Sequence, residues 1–342
     1  MTHPDAPTDG PSAARRPLCS IRGMGRHLPE RQLTNADLEK LMDTSDEWIV
    51  QRTGIRSRRV LPDDWITSDL AVASAEAAIA DSGVAREDID LLIVATVTPD
   101  HLCPSTACVV QRKLGLSGVA ALDISVACSG FGYALSLAAG MIASGLHQNV
   151  LVIGAEAMTR FMNYEDRTSS ILFGDGAGAV VVGREGRFDV LYTDNGADGS
   201  LAEMIEIPAG GAREPASPET IEQRRHFVTL RGREVFKTAV RQMSQSTRKA
   251  VQALGMTTDD IDWLIPHQAN ARIIEAVGEN LGLPSEKVVI DIGDKGNTTA
   301  ASIPIAMTGI YEAGGFQPGQ IIVLVGFGAG AAWSCQVVRV VG

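Results

Sequence analysis

Short β-branched runs alternate along the chain with longer segments of helical period. LLIVATV (91–97), NVLVIGA (149–155), AVVVG (179–183), KVVIDI (287–292) and IIVLVGF (321–327) are nearly all apolar and predict buried strands. Between them, apolar residues recur at helical spacing over 69–82, 130–144, 235–254, 269–281 and 301–312. Strand–helix alternation of this kind predicts an α/β fold. No uninterrupted apolar run reaches the ~18 residues of a spanning helix, so no membrane span is expected.

The pattern also repeats. AEAAIADSGVAREDIDLLIVA (75–95) is answered by TRKAVQALGMTTDDIDWLIPH (247–267), and ALDISVACSG (121–130) by VIDIGDKGNTTA (289–300). ILFGDGAGAVVVG (171–183) is answered by LVGFGAGAAWSCQVV (324–338), and the three offsets are 172, 168 and 154 residues. Matched order with variable loops predicts two homologous α/β halves, near 19–190 and 191–342, that share one core. The first 18 residues, MTHPDAPTDGPSAARRPL, are polar and proline-rich. They read as a flexible tail, since they lack the apolar stretch of a secretion signal.

Composition narrows the function. With 45% apolar residues in 342, the chain can bury the core of one large domain or two coupled ones. Thirty basic against 41 acidic residues give a net charge of −11, which argues against nonspecific binding to nucleic acid or anionic lipid. Five cysteines (19, 103, 108, 128 and 335) without CxxC spacing, and six scattered histidines, predict neither a disulfide framework nor a metal site. A reducing cytoplasm is the expected compartment. The 35 glycines exceed the usual ~7%. Their runs at 174–179 and 326–330 lead into strands, unlike a GxGxxG loop that opens a helix, so nucleotide binding is not expected.

Three positions carry candidate chemistry. Cys128 follows a strand-like ALDISVA and opens a helical segment, where helix N–H groups lower a thiol pKa; an inert buried cysteine is the alternative. His267, after a strand and Pro266, suits proton transfer or oxyanion donation, against the alternative of a polar loop residue. Asn297 in KGNTTAAS offers a non-titrating donor, or simply a turn or helix cap. If the halves pack about a pseudo-two-fold axis, the three converge at a shared face.

In order along the chain, TNADLEKLMDTSDEWIVQRTGI (34–55), VACSGF (126–131), FGDGAGA (173–179), PHQAN (266–270) and GNTTAAS (296–302) resemble the 3-oxoacyl-[acyl-carrier-protein] synthase III family over roughly 19–342. That resemblance implies a thiolase-like fold, its halves layered α-β-α-β-α, in a homodimer. It implies an initiating decarboxylative condensation of an acyl-CoA primer with malonyl-[acyl-carrier-protein], through an acyl-cysteine. Cys128 would be the nucleophile and His267 with Asn297 the decarboxylation pair. The Cys128 and Ala329 N–H groups would form an oxyanion hole. Trp48, Arg52, Arg167, Asn270 and Arg272 match CoA-contacting positions, and Phe327 a ring that shields the cysteine. The partners would be acyl-CoA and acyl carrier protein, with no cofactor or metal.

Departures from the family pattern matter too. Cys103 stands where many relatives carry a larger residue that lines the partner subunit's acyl pocket, which predicts tolerance of branched or longer primers. Lys295 replaces a common His or Tyr, and the N-terminal tail exceeds the usual start. Alternative readings are a polyketide-priming synthase or acyltransferase, a short-chain CoA-condensing synthase, and a catalytically silent scaffold. The complete Cys128/His267/Asn297 set argues against silence.

Overall fold

The computed structural model describes residues 16–341, so most of the expected tail lies outside the described residues. Nine strands form one mixed sheet: β1 (Cys19–His27), β2 (Leu91–Ala95), β3 (Ala120–Ile124), β4 (Val150–Ala157), β5 (Asp175–Gly183), β6 (Phe188–Ala197), β7 (Trp263–Pro266), β8 (Ile321–Gly328) and β9 (Ala332–Val340). Their order is β7-β8-β9-β6-β1-β5-β4-β2-β3. The principal helices are α1 (Asp46–Thr53), α2 (Thr67–Ser82), α3 (Thr106–Lys113), α4 (Gly130–Ser144), α5 (Gly232–Ala253), α6 (Ala271–Leu281) and α7 (Ser302–Glu312).

Each half repeats one scheme. β1, β5, β4, β2 and β3 run antiparallel, antiparallel, parallel and parallel, pair by pair. β6, β9, β8 and β7 follow the same rule as far as they go. The half-sheets join where Cys19–Ile21 of β1 meets Phe188–Val190 of β6. Because β6 crosses residue 190, we propose that the halves divide in the turn 184–187.

The strand runs are apolar throughout because both sheet faces are covered. On β2, Leu91, Ile93 and Ala95 point to a central core, while Leu92 and Val94 point to a second core beneath α2 and α3. On β8, Ile322 and Leu324 face the same central core, whereas Val323 and Val325 meet α5 and α6. Helices α4 and α7 fill the middle, each touching strands of both halves. The layers therefore run α-β-α-β-α. Helix α4 presents Phe131, Ala134, Leu135, Ala138, Ala139 and Ile142 at helical spacing to the centre. The stretch Ala127–Ser144 is long and apolar enough to cross a membrane by length and composition, but 56% of it is buried inside the protein.

One expected strand does not form. Residues 287–292 keep a single bridge, Leu264 to Val288. The Gln268 side chain takes over the pairing beyond it, donating to the Val289 carbonyl (3.1 Å) and accepting the Asp291 N–H (2.6 Å). The glycine runs also differ in place: 174–179 enters β5, while 326–330 ends β8 and turns toward β9.

Candidate active site

Cys128 sits in a single 3-10 turn, Ala127–Ser129, between β3 and α4. The turn begins with Ala127 at φ 43°, a left-handed conformation that costs a non-glycine residue energy. Thr299 opens the matching turn before α7 at φ 50°. Across this pair the offset is again 172, although the strand-like segment before it matched at 168. The difference falls in Gly293–Gly296, an extra stretch that includes Lys295 and leads to Asn297.

Each turn is pressed by a glycine. A Cβ on Gly326 would lie 3.2 Å from the Cys128 carbonyl oxygen, and one on Gly154 would lie 2.5 Å from that of Ala300. A Cβ on Gly328 would stand 2.7 Å from the Cys128 nitrogen. At Gly154 and Gly328 a side chain would force the facing backbone to shift, and at Gly326 it would be tight, which accounts for part of the glycine excess.

Cys128 is 8% exposed. Burial, reinforced by the nearby Glu156 carboxylate, pushes its pKa up to about 12. This corrects the expectation of a lowered pKa: desolvation outweighs the helix terminus here. Glu156 is itself buried and raised to about 8, although Thr98 and Thr96 hydroxyls, the Val97 N–H and the Ala300 N–H favour its charged form.

His267 follows β7 and is 1% exposed. Burial lowers its pKa to about 3, so the ring is neutral. Its Nδ1 lies 2.7 Å from Ser302 Oγ, while Nε2 has no partner among the described residues. Asn297 is bridged through its backbone to Phe173, and its Oδ1 accepts the Thr299 N–H at 2.9 Å. That bond leaves the Asn297 amide N–H groups as the free end.

Cys128, His267, Asn297, Phe327 and Ala329 line one cavity of about 980 Å³. Its walls also include Trp48, Arg52, Arg167, Asn270 and Arg272. The Arg52 and Arg167 guanidinium carbons lie 4.7 and 5.2 Å from the Trp48 ring centroid, close enough for cation–π attraction. Arg167 also donates to the Asp43 carbonyl at 2.6 Å. The Asn270 amide already caps α6 and donates to the Arg52 carbonyl, tying α1 to α6. Cys103 is exposed and does not line this cavity; it follows Leu102, which is 88% exposed. Lys295 is largely buried and pairs with Asp291 and Asp294.

Sequence reading missed Arg233 and Lys237, which add positive charge to the cavity wall from the start of α5. Their spacing with Phe236 (i, i+3, i+4) was the available signal. It also missed Val97, Met158, Ile205, Val228 and Leu230, which give the cavity an apolar wall and come from four separate segments.

Models of known families match the chain twice: 3-oxoacyl-[acyl-carrier-protein (ACP)] synthase III over residues 122–199, and its C-terminal part over 251–340. A beta-ketoacyl-[acyl-carrier-protein] synthase III of Caldanaerobacter subterraneus subsp. tengcongensis is 50% identical over 320 residues, covering 93% of this chain and 97% of that protein. The crystal structure of 3-oxoacyl-[acyl-carrier-protein] synthase III from Aquifex aeolicus is 43% identical, with TM-score 0.86 over 94% of this chain and 99% of that one. The priming beta-ketosynthase of the R1128 polyketide pathway is 33% identical, with TM-score 0.86 over 97% and 99%. Fold, elbow cysteine and nearly full-length identity agree, and the chain belongs to the beta-ketoacyl-[acyl-carrier-protein] synthase III family of condensing enzymes, which start fatty acid synthesis.

Proposed function

We propose that Cys128 accepts the primer acyl group and that His267 and Asn297 drive the condensation. One observation carries the reading: the inner ends of the two side chains are tied by Thr299 in the second turn and by Ser302 at the start of α7, and both residues line the cavity that holds the thiol. In the first half-reaction the Cys128 sulfur attacks the thioester carbonyl of acyl-CoA. The carbon–sulfur bond to CoA breaks, and the thiol proton leaves with CoA. The Cys128 and Ala329 N–H groups stabilise the tetrahedral oxyanion.

Malonyl-[acyl-carrier-protein] then enters. Its carbon–carboxylate bond breaks to release CO₂, and the electron pair moves into an enolate whose oxygen accepts hydrogen bonds from His267 Nε2 and Asn297 Nδ2. The enolate carbon attacks the acyl-cysteine carbonyl. The carbon–sulfur bond to Cys128 breaks, and the thiolate regains a proton from water. The products are 3-oxoacyl-[acyl-carrier-protein], CO₂ and CoA, and no metal or redox cofactor takes part. A neutral imidazole suits this role, because a donor that does not titrate near neutrality stays poised.

The cationic side chains Arg52, Arg167 and Arg272 would hold the CoA phosphates, with Trp48 beside the adenine, against the chain's net charge of −11. The protein would act as a cytoplasmic homodimer whose partner's Cys103 loop borders the acyl pocket. A small residue there, and an apolar wall of Met158, Ile205, Val228 and Leu230, support use of branched or longer primers. Competition among acetyl-, isobutyryl- and octanoyl-CoA tests this. Comparable turnover of the longer primers is expected, and strict preference for acetyl-CoA would contradict it.

A further inference from the structure

The bond between His267 and Ser302 has a counterpart in the first half that is not a hydrogen bond. The offset relating Ala127 to Thr299 also relates Ala95 to His267 and Gly130 to Ser302. In the first half, a Cβ on Gly130 would lie 3.0 Å from the Ala95 methyl, an apolar contact. In the second half, the matching pair is Ser302 Oγ and His267 Nδ1, 2.7 Å apart.

Ser302 Oγ has two polar neighbours among the described residues. One is the Gln268 N–H, which donates to it across 3.3 Å; the other is His267 Nδ1. A serine hydroxyl has one proton to donate. Gln268 supplies a donor, so the acceptor within reach of that proton is the Nδ1 lone pair. The reverse arrangement, with Nδ1–H donating to Oγ, would strand the hydroxyl proton at a residue 2% exposed. We propose that Ser302 is a positioning residue that holds His267 as its Nε2–H tautomer, so that the ring offers a donor rather than a lone pair to the substrate carbonyl. This rests on the reading of His267 as a donor in the condensation. Thr299, in the turn that leads into Ser302, orients the Asn297 amide through its N–H, so the second turn and the start of α7 orient both donors while the first turn carries the thiol.

The test uses protein with ¹⁵N-labelled histidine, its His267 signals assigned by their loss in His267→Gln. Ring resonances are read in wild type, Ser302→Ala and Ser302→Thr, with two rates beside them: Cys128 acylation by acetyl-CoA, and CO₂ release from malonyl-[acyl-carrier-protein]. Wild type is expected to show a protonated Nε2 and an unprotonated Nδ1. Ser302→Ala is expected to mix the tautomers and lower CO₂ release about 10²-fold, with acylation falling far less. Ser302→Thr, which keeps the hydroxyl, is expected to recover both tautomer and rate. A wild-type ring protonated at Nδ1 overturns the proposal, and needs no variant to fold. So does Ser302→Ala with an unchanged ring and unchanged CO₂ release. Wild type that releases no CO₂ while its ring is Nε2–H would instead overturn the condensation reading.

Discussion

Gly328 occupies in the second half of the fold the position that Glu156 holds in the first. Both lie two residues beyond a glycine that presses on an elbow carbonyl, Gly154 on Ala300 and Gly326 on Cys128. The Glu156 carboxylate engages the Ala300 N–H. At Gly328 no side chain exists to engage the Cys128 N–H, which would leave that group available to the substrate oxygen of the proposed mechanism. The two turns thus differ in what faces their central N–H, a carboxylate in one and a glycine in the other.

Gly328→Ala is therefore expected to close that opening. On unmoved backbone its methyl would fall 2.7 Å from the Cys128 nitrogen, so the variant must displace the Cys128 turn locally. Loss of one oxyanion donor typically costs about 10²–10³ in rate, so acylation by acetyl-CoA should fall by that order while far-ultraviolet circular dichroism stays near wild type. Wild-type acylation would show that the Cys128 N–H is not used.

Glu156→Gln should ease ionisation of Cys128, because the carboxylate raises the thiol pKa. The midpoint of iodoacetamide alkylation against pH is expected to move down. Stability should respond as well. The folded Glu156 pKa, about 8, lies above its unfolded value, so its contribution is fully present below about 4.5 and is lost as pH rises through about 8. Chemical denaturation at pH 6 and pH 9 should show a larger alkaline loss in wild type than in the variant.

His267 acts with the opposite sign. Its folded pKa, about 3, lies below the unfolded value near 6.5, so the stability it contributes is present above pH 6.5 and lost as pH falls toward 3. A single such group costs up to ~1.4 kcal/mol per pH unit across that window. His267→Gln should flatten the acid limb of the stability curve. An unchanged limb would mean that the ring is accessible to protons when folded.

Arg52→Ala and Arg272→Ala are expected to raise KM for acyl-CoA about tenfold each, a typical loss of one charge-assisted phosphate contact. The effect should shrink as salt rises. Steady-state kinetics at two ionic strengths checks this; a change confined to kcat would argue against phosphate contacts.

Much of this was legible in the residues. Runs such as 150–155 and 321–327 are apolar at every position because both faces are covered, and the 172-residue offset sets His267 opposite Ala95 in the sequence itself. The segment 287–292 misled, since its strand-like composition does not reveal that the Gln268 amide competes for its backbone. The thiol pKa departs from expectation because a helix terminus is visible in sequence, while burial beside Glu156, a carboxylate distant in the chain, is not. Ser302 and Gly328 gained meaning only when the two halves could be compared in space.

The most direct test is peptide-mapped mass spectrometry of the protein incubated with acetyl-CoA, followed by malonyl-[acyl-carrier-protein]. Acetylation of Cys128 alone is expected, then its discharge with one CO₂ per acyl group; in His267→Ala and Asn297→Ala the adduct should form but persist. An adduct on Cys19, Cys103, Cys108 or Cys335 instead, or discharge from Cys128 without CO₂, would contradict the account.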